Sequence, residues 1–457
     1  MVDALHGLVD GCAAVQEGRL KATAWLQQCL AQIDLWEPKV GAFEYLDRDL
    51  ALKAATDLDQ TDWARQKPVP ALAGAPVAMK DIFNTIDMPT SMGSDIRRGY
   101  QAGNDARVME QAKVLGAFCL GKTTTAEFAV HTIADTLNPW DPGIIAGSSS
   151  TGSAVAVATG MTPAALGTQS AGSITRPSSY NGVVGFKPTF GLVPRTGVLK
   201  TCDTLDSVGW ITRNVRDARL LLDCLRVRGH NYPHIVRGLR SAETAYPQDR
   251  PWRIGLGKVT GQEAASNYAI EELEGLALQL GNRRDIEIVE LDLSEPLKGA
   301  QETHRTIYHK SLSYYFTRDL AHIDKVSEIF KDITSEGERY SAEDYHEALG
   351  HQELLTDAFD DAMQGVDAFL TLSTAGEAPA IGVPEPDDTS LIWTLCGAPS
   401  ISLPIFTSSR GRPFGAQIVA RRYFDYALLD LAKSVFPGDS ALAIATPDMT
   451  ASVRESA

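Results

Sequence analysis

The chain has 457 residues, 44% hydrophobic and 22% charged, the balance of a soluble globular protein. Its formal charge of −16 argues against nucleic acid or an anionic membrane as partner, since both are polyanions. No stretch approaches the ~20 uninterrupted apolar residues that span a bilayer, and Met1–His6 lacks the positive segment and apolar core of a secretion signal.

Residues 3–66 are predicted to be helical: Leu20, Trp25, Leu26, Leu30 and Ile33 recur at helical spacing, and Ala51–Leu58 begins another amphipathic run. Pro68 and Pro70 close that segment. Ala75–Met79 reads as a short apolar strand ending at Lys80 and Asp81, with further strands at Leu115–Leu120 and Ala164–Gly167. The 143–200 stretch is rich in Gly, Ser, Thr and Ala, but Ser153–Ala158 reads as a small-residue helix and Val183–Phe186 as a strand. Small residues permit close backbone approach, which suits a crowded active site better than a linker. Helices are expected at 215–226, 268–281 and 300–365. Strands are expected at Trp252–Leu256, Ile286–Leu291, Ala368–Leu372, Ser400–Pro404 and Gly415–Val419, with a last helix at Ala427–Val435.

Interleaved strands and helices without repeat or linker predict one large α/β domain, a broad mixed central sheet covered on both faces by helices. Within it the expected parts are a helical N-terminal segment (1–66), a core (72–256), a helical covering subdomain (257–365), a return to the sheet (366–440) and a tail (441–457). Cys12, Cys29, Cys119, Cys202, Cys224 and Cys396 are scattered without a C-x-x-C pair. They read as thiols in a reducing cytoplasm, not as a disulfide frame or a zinc site.

Three patterns mislead. Gly116–Thr123 fits the phosphate-loop pattern G-x-x-x-x-G-K-T, but Ala-Phe-Cys-Leu at the variable positions reads as a buried strand. His346 and His351 imitate a zinc-protease pair, yet five residues on a helix separate them by about 140°, too far to chelate from one face. Gly255-Leu256-Gly257 follows a strand like a dinucleotide fingerprint, but Gly261 comes one place late.

The chemistry lies in Gly147–Ser153 and Gly167–Pro177. Taken alone, a Ser/Gly loop is a turn. There is no G-x-S-x-G elbow and no S-x-x-K, so neither the α/β-hydrolase nor the penicillin-binding arrangement applies. Together, though, these segments resemble the signature region of the amidase signature family. The match continues through Asn181–Thr189, the lysine segment Gly74–Asp81, the strand end Leu120–Thr123, and Gly397–Pro404 with Gly415-Ala416-Gln417. It covers most of the chain in order.

That resemblance implies a Ser–cis-Ser–Lys triad. Its nucleophile falls on Ser173 and its lysine on Lys80. The family's spacing places the bridging serine on Ser149, in preference to Ser148 or Ser150, with the cis bond joining Ser148 to Ser149. An alcohol needs a base within hydrogen-bond reach. Lysine serves only when neutral, so burial must bring its pKa from ~10.4 to near 7, a differential cost of about 4 kcal/mol. The amides of Ser170, Ala171, Gly172 and Ser173 are candidates for the oxyanion hole, and Thr168 for support of the triad. Arg176 lies three places after the nucleophile, as in the malonamidase-like branch, where this arginine grips a substrate carboxylate; the competing reading pairs it with a local acidic side chain.

The expected activity is therefore cytoplasmic hydrolysis of a small-molecule amide, leaning to one that bears a carboxylate, without metal or cofactor. The alternative is the ammonia-generating subunit of a tRNA-dependent amidotransferase. Gln169 and Arg176 depart from that branch. Ser148 and Thr151 stand where relatives usually carry glycine, and Asn181 where cysteine is common. A homodimer is the further partner the resemblance admits. His304, Tyr308, His309, Tyr314, Tyr315 and Phe316 are expected either to line the pocket or to pack as an aromatic core helix.

Overall fold

Alternating short apolar runs and amphipathic segments give a sheet flanked by helices, because each strand must bury both faces. The computed structural model describes residues 7–63, 68–229, 232–245, 250–386 and 390–437; the expected tail at 441–457 lies outside them. The strands are β1 (Phe43–Tyr45), β2 (Pro76–Lys80), β3 (Phe118–Thr123), β4 (Ala164–Gln169), β5 (Val184–Lys187), β6 (Ser207–Thr212), β7 (Trp252–Leu256), β8 (Ile286–Glu290), β9 (Ala368–Leu372), β10 (Ser400–Thr407) and β11 (Pro413–Val419). They form one 11-stranded sheet in the order β1-β3-β2-β4-β6-β5-β10-β11-β9-β7-β8.

The sheet is mixed. β2 runs parallel to both β3 and β4, whereas β4, β6, β5, β10, β11 and β9 pair antiparallel in succession. The single α/β body expected from the sequence is the one observed. Several element bounds differ from expectation. The N-terminal helical stretch is interrupted by β1, after the helix Ala22–Val40 ends at Gly41 in the left-handed region (φ 60°). The strand read at Leu115–Leu120 starts three residues later, because the helix Arg107–Val114 ends in a turn at Gly116 with φ 93°. β10 runs past Pro404 to Thr407; its register with β11 shifts between Leu403 and Phe406, as a residue without an N–H requires in a ladder. β6, central in the sheet, was not expected from the sequence.

The core is continuous across the sheet. Trp210 of β6 donates its indole N–H to the Ala218 carbonyl at 3.0 Å, and Trp393 donates to Gln417 Oε1 at 3.0 Å. Among the described residues, no helix is long and apolar enough to cross a membrane. The cysteines are buried thiols.

Candidate active site

Two parallel neighbours place the first site residues. Met79 of β2 is in register with Leu166 of β4, so the carboxyl ends of both strands emerge together, with Lys80 beside Thr168. Every residue of β2 is buried, and Lys80 is 0% exposed. Its Nζ donates to Ser149 Oγ at 2.7 Å and to Thr168 Oγ1 at 3.1 Å. Burial pushes the lysine down to about 7, against a smaller upward pull from the carboxylate of Asp206.

Ser149 reaches that lysine because the loop before the helix Thr151–Ala158 is tightly packed. Gly147 sits at φ 82°, and a Cβ there would stand 2.9 Å from the Cα of Pro177. A Cβ at Gly152 would meet the Ala42 carbonyl oxygen at 2.3 Å, so only glycine lets this helix start where it does. The Ser148–Ser149 peptide is cis, at the bond the family resemblance implies. The adjacent hydroxyls point elsewhere: Ser148 Oγ donates to the Thr132 carbonyl at 3.1 Å, and Ser150 Oγ to the Thr168 carbonyl at 3.2 Å.

Ser173 lies on the turn between β4 and the helix Thr175–Asn181, and is 8% exposed. The turn is tied to the Ser149 loop through its backbone, since the Ser150 N–H donates to the Ser173 carbonyl at 3.3 Å. Among the described residues, Ser173 Oγ makes no hydrogen bond, so the link from Ser149 to Ser173 is open here. Such contacts often tighten only around a bound substrate. Gln169, one of the residues that departs from the amidotransferase branch, caps the following helix from the strand: its Oε1 accepts from the N–H groups of Ile174 at 2.9 Å and Thr175 at 3.1 Å.

A cavity of about 610 Å³ opens beside this turn, lined by Ala171, Arg176, His131, His304, Tyr308 and Glu385 among others. Arg176 Nη1 donates to Glu385 Oε2 at 2.5 Å, so the cation belongs to an ion pair. Burial lowers the imidazole of His304 to about 4, so it is neutral at ordinary pH. The aromatic segment divides between its two expected roles. His304, Tyr308 and His309 line the cavity; Phe316 packs against Phe128 and Phe330 with ring centres 4.7 and 5.2 Å away; Tyr314 is exposed.

The sequence reading did not single out two acidic residues. Asp206 accepts from Ser170 Oγ at 2.7 Å and from the N–H groups of Thr201 at 2.9 Å and Cys202 at 3.0 Å. Asp81 forms a wholly buried pair with Lys122 at 2.7 Å, and Lys122 also donates to Thr90 Oγ1 at 2.8 Å. The lysine of the phosphate-loop pattern is thus committed to a carboxylate at the end of a buried strand. Asp206 stands just before β6, whose strand character depends on its neighbours β4 and β5, so no local signal in the sequence marked it.

A family model described as Amidase matches residues 24–429. A glutamyl-tRNA(Gln) amidotransferase subunit of Koribacter versatilis is 30% identical over 92% of this chain and 96% of its own length. Among solved structures, one described as an amidase superimposes with a TM-score of 0.82 at 27% identity, over 93% of this chain and 98% of its own. The native peptide amidase of Stenotrophomonas maltophilia does so with a TM-score of 0.80 at 26% identity, over 94% and 96%.

Proposed function

Because the chain belongs to the amidase family, whose members act on amide C–N bonds, we propose that Ser173 is the nucleophile of an acyl-enzyme reaction in which Lys80 is the base and Ser149 the relay. The observation that carries this reading is the 2.7 Å separation of the buried Lys80 Nζ, lowered to about 7, from Ser149 Oγ, across which the neutral amine can accept the hydroxyl proton. Neutral Lys80 takes the Ser149 proton while Ser149 takes that of Ser173, and Ser173 Oγ bonds to the carbonyl carbon. The amides of the Ser170–Ser173 turn receive the charge on the carbonyl oxygen. The C–N bond then breaks as the proton returns from Lys80 through Ser149 to the departing nitrogen. Water, deprotonated along the same path, releases the acid. Thr168 steadies the Lys80 amine.

The substrate follows less directly. The curated relative is one component of an amidotransferase, which favours ammonia release within a larger amidotransferase assembly over a free-standing small-molecule amidase. Both readings share one half-reaction, ammonia release from a primary carboxamide. Glutamine would itself be a small amide bearing a carboxylate, and such a group would meet Arg176 as half of the pair with Glu385. The free-standing reading is supported by the likeness to the peptide amidase and by a cavity of about 610 Å³, ample for more than one amino acid.

Fluorophosphonate labelling with peptide mapping, run beside an ammonia-release panel of glutamine, malonamate and peptide amides, tests the proposal. The adduct is expected on Ser173, absent in Ser173→Ala and much reduced in Lys80→Ala. An adduct on another residue, or full activity in Ser173→Ala, would sink the mechanism. Glutamine hydrolysis that rises with a copurifying partner selects the amidotransferase reading; turnover of peptide amides by the lone chain selects the other.

A further inference from the structure

The turn carrying Ser170, Ala171 and Gly172 is held along its carbonyl side by three partners from different parts of the chain. The Ser170 carbonyl meets His304 Nε2 at 2.7 Å. The Ala171 carbonyl accepts from Thr394 Oγ1 at 2.6 Å, and the Gly172 carbonyl from the Arg176 N–H at 2.9 Å. Thr394 in turn accepts from Gln169 Nε2 at 3.1 Å, and its own proton lies nearer the Ala171 carbonyl at 2.6 Å than the Ser390 carbonyl at 3.1 Å.

In a trans peptide the C=O and the following N–H point in opposite directions. Fixing these three carbonyls therefore fixes the directions of the Ala171, Gly172 and Ser173 N–H groups. Among the described residues, no acceptor is bound by those three amides. A turn whose carbonyls are all engaged and whose amides are all spare is organised to receive negative charge.

Of the three holds, that of His304 is the least expected. It comes from the helix Ala300–Tyr315, far along the chain, which packs against the helices Glu328–Arg339 and Ala342–Ala362. A carbonyl only accepts, so the bond assigns the His304 proton to Nε2. The imidazole is 5% exposed and rests against Tyr308 with ring centres 5.6 Å apart; Tyr308 meets His131 edge-on at 6.3 Å. The ring thus has little freedom to turn its donor elsewhere. The Ser170 side chain is held separately by Asp206, so His304 acts on the peptide plane and not on the residue as a whole.

We propose that His304 is a positioning residue for amide cleavage, holding the Ser170 carbonyl so that the Ala171 N–H is directed to the carbonyl oxygen of the substrate. The inference rests on the assignment of Ser173 as nucleophile. Its consequence is a kcat effect: an amide turned out of line weakens the transition state more than the ground state. Losing one oxyanion donor costs about 10²–10³ in rate, so loosening one should cost at least about tenfold.

The test measures the rate at which a fluorophosphonate probe modifies the full-length protein, because its phosphoryl oxygen occupies the same place. His304→Leu should lower the limiting rate at least about tenfold with the half-saturating probe concentration changed less than about twofold. His304→Gln, whose side-chain amide can replace the Nε2 donor, should stay within about threefold of the parent protein. Thermal melting of both variants separates this from unfolding. His304→Leu labelling at the parent rate overturns the inference. So does His304→Gln melting as the parent does yet labelling more than about tenfold slower, which decides the matter even if His304→Leu does not fold. A parent protein that is not labelled at Ser173 overturns the nucleophile assignment instead, and this inference falls with it.

Discussion

Lys80 Nζ stands 2.7 Å from Ser149 Oγ at the end of a strand that water does not reach. The amine is surrounded by hydroxyls, and Asp206 is the charge that bears on it. An ammonium there would lack the solvation it needs, so the neutral base prevails above about pH 7. The rate of Ser173 modification should accordingly rise with pH through a midpoint near 7, and a flat profile between pH 5 and 9 would contradict a lysine base.

Asp206 raises the Lys80 pKa, so removing its charge must lower it further. In Asp206→Asn the acid limb of the rate profile should move to lower pH. The hydroxyls of Ser170 and Thr201 can reverse direction to meet the new amide, so the variant is expected to fold. A midpoint moved upward, measured by labelling rate against pH, would show that Asp206 acts otherwise.

Burying this base costs stability, and the sign follows from proton counting. Lys80 falls from 10.5 to about 7 on folding, so between those values the unfolded chain holds a proton that the folded one lacks. Stability attributable to the lysine therefore rises with pH across that window, and below about pH 7 the full cost of a buried ammonium is present. Lys80→Met should be inactive yet more stable than the parent at pH 6, by on the order of a few kcal/mol. Urea unfolding at pH 6 and pH 10 should find that advantage shrinking as pH rises.

Three adjacent serines make a discriminating set. Ser149→Ala should lose Ser173 labelling by at least about 100-fold, because the path to Lys80 is cut. Ser148→Ala and Ser150→Ala remove hydroxyls bonded to backbone carbonyls. Each should cost about 1 kcal/mol of stability and leave the labelling rate within a few-fold. Equal losses in all three would remove Ser149 from its assigned role.

Lys122 and Asp81 are both 0% exposed and depend on each other. Lys122→Met leaves a buried carboxylate without its cation and should destabilise by about 3–5 kcal/mol. Adding Asp81→Leu should recover part of that loss. Melting temperatures of the single and double variants measure the coupling.

Local rules made much of this molecule legible. Lys80 at the end of an apolar run, Ser173 closing a small-residue turn, and the false phosphate loop on a buried strand all follow from residue types within a few positions of one another. The α/β class follows likewise, since alternating apolar periodicities admit few packings. β6 escaped because Ser207–Thr212 is short and carries a central Gly209, and its strand character depends on β4 and β5 on either side.

What the chain alone determined, then, is the inventory of groups: a lysine, a serine-rich loop, a serine on a glycine turn. What only the tertiary structure decided is which groups face one another across hundreds of residues. Asp206 sets the charge beside Lys80, His304 and Thr394 hold the turn before Ser173, and Glu385 pairs with Arg176. Hydrogen bonds and ion pairs depend on distances of about 3 Å. Those distances are fixed by the register of a sheet and the packing of helices on it, which no local pattern in the sequence encodes.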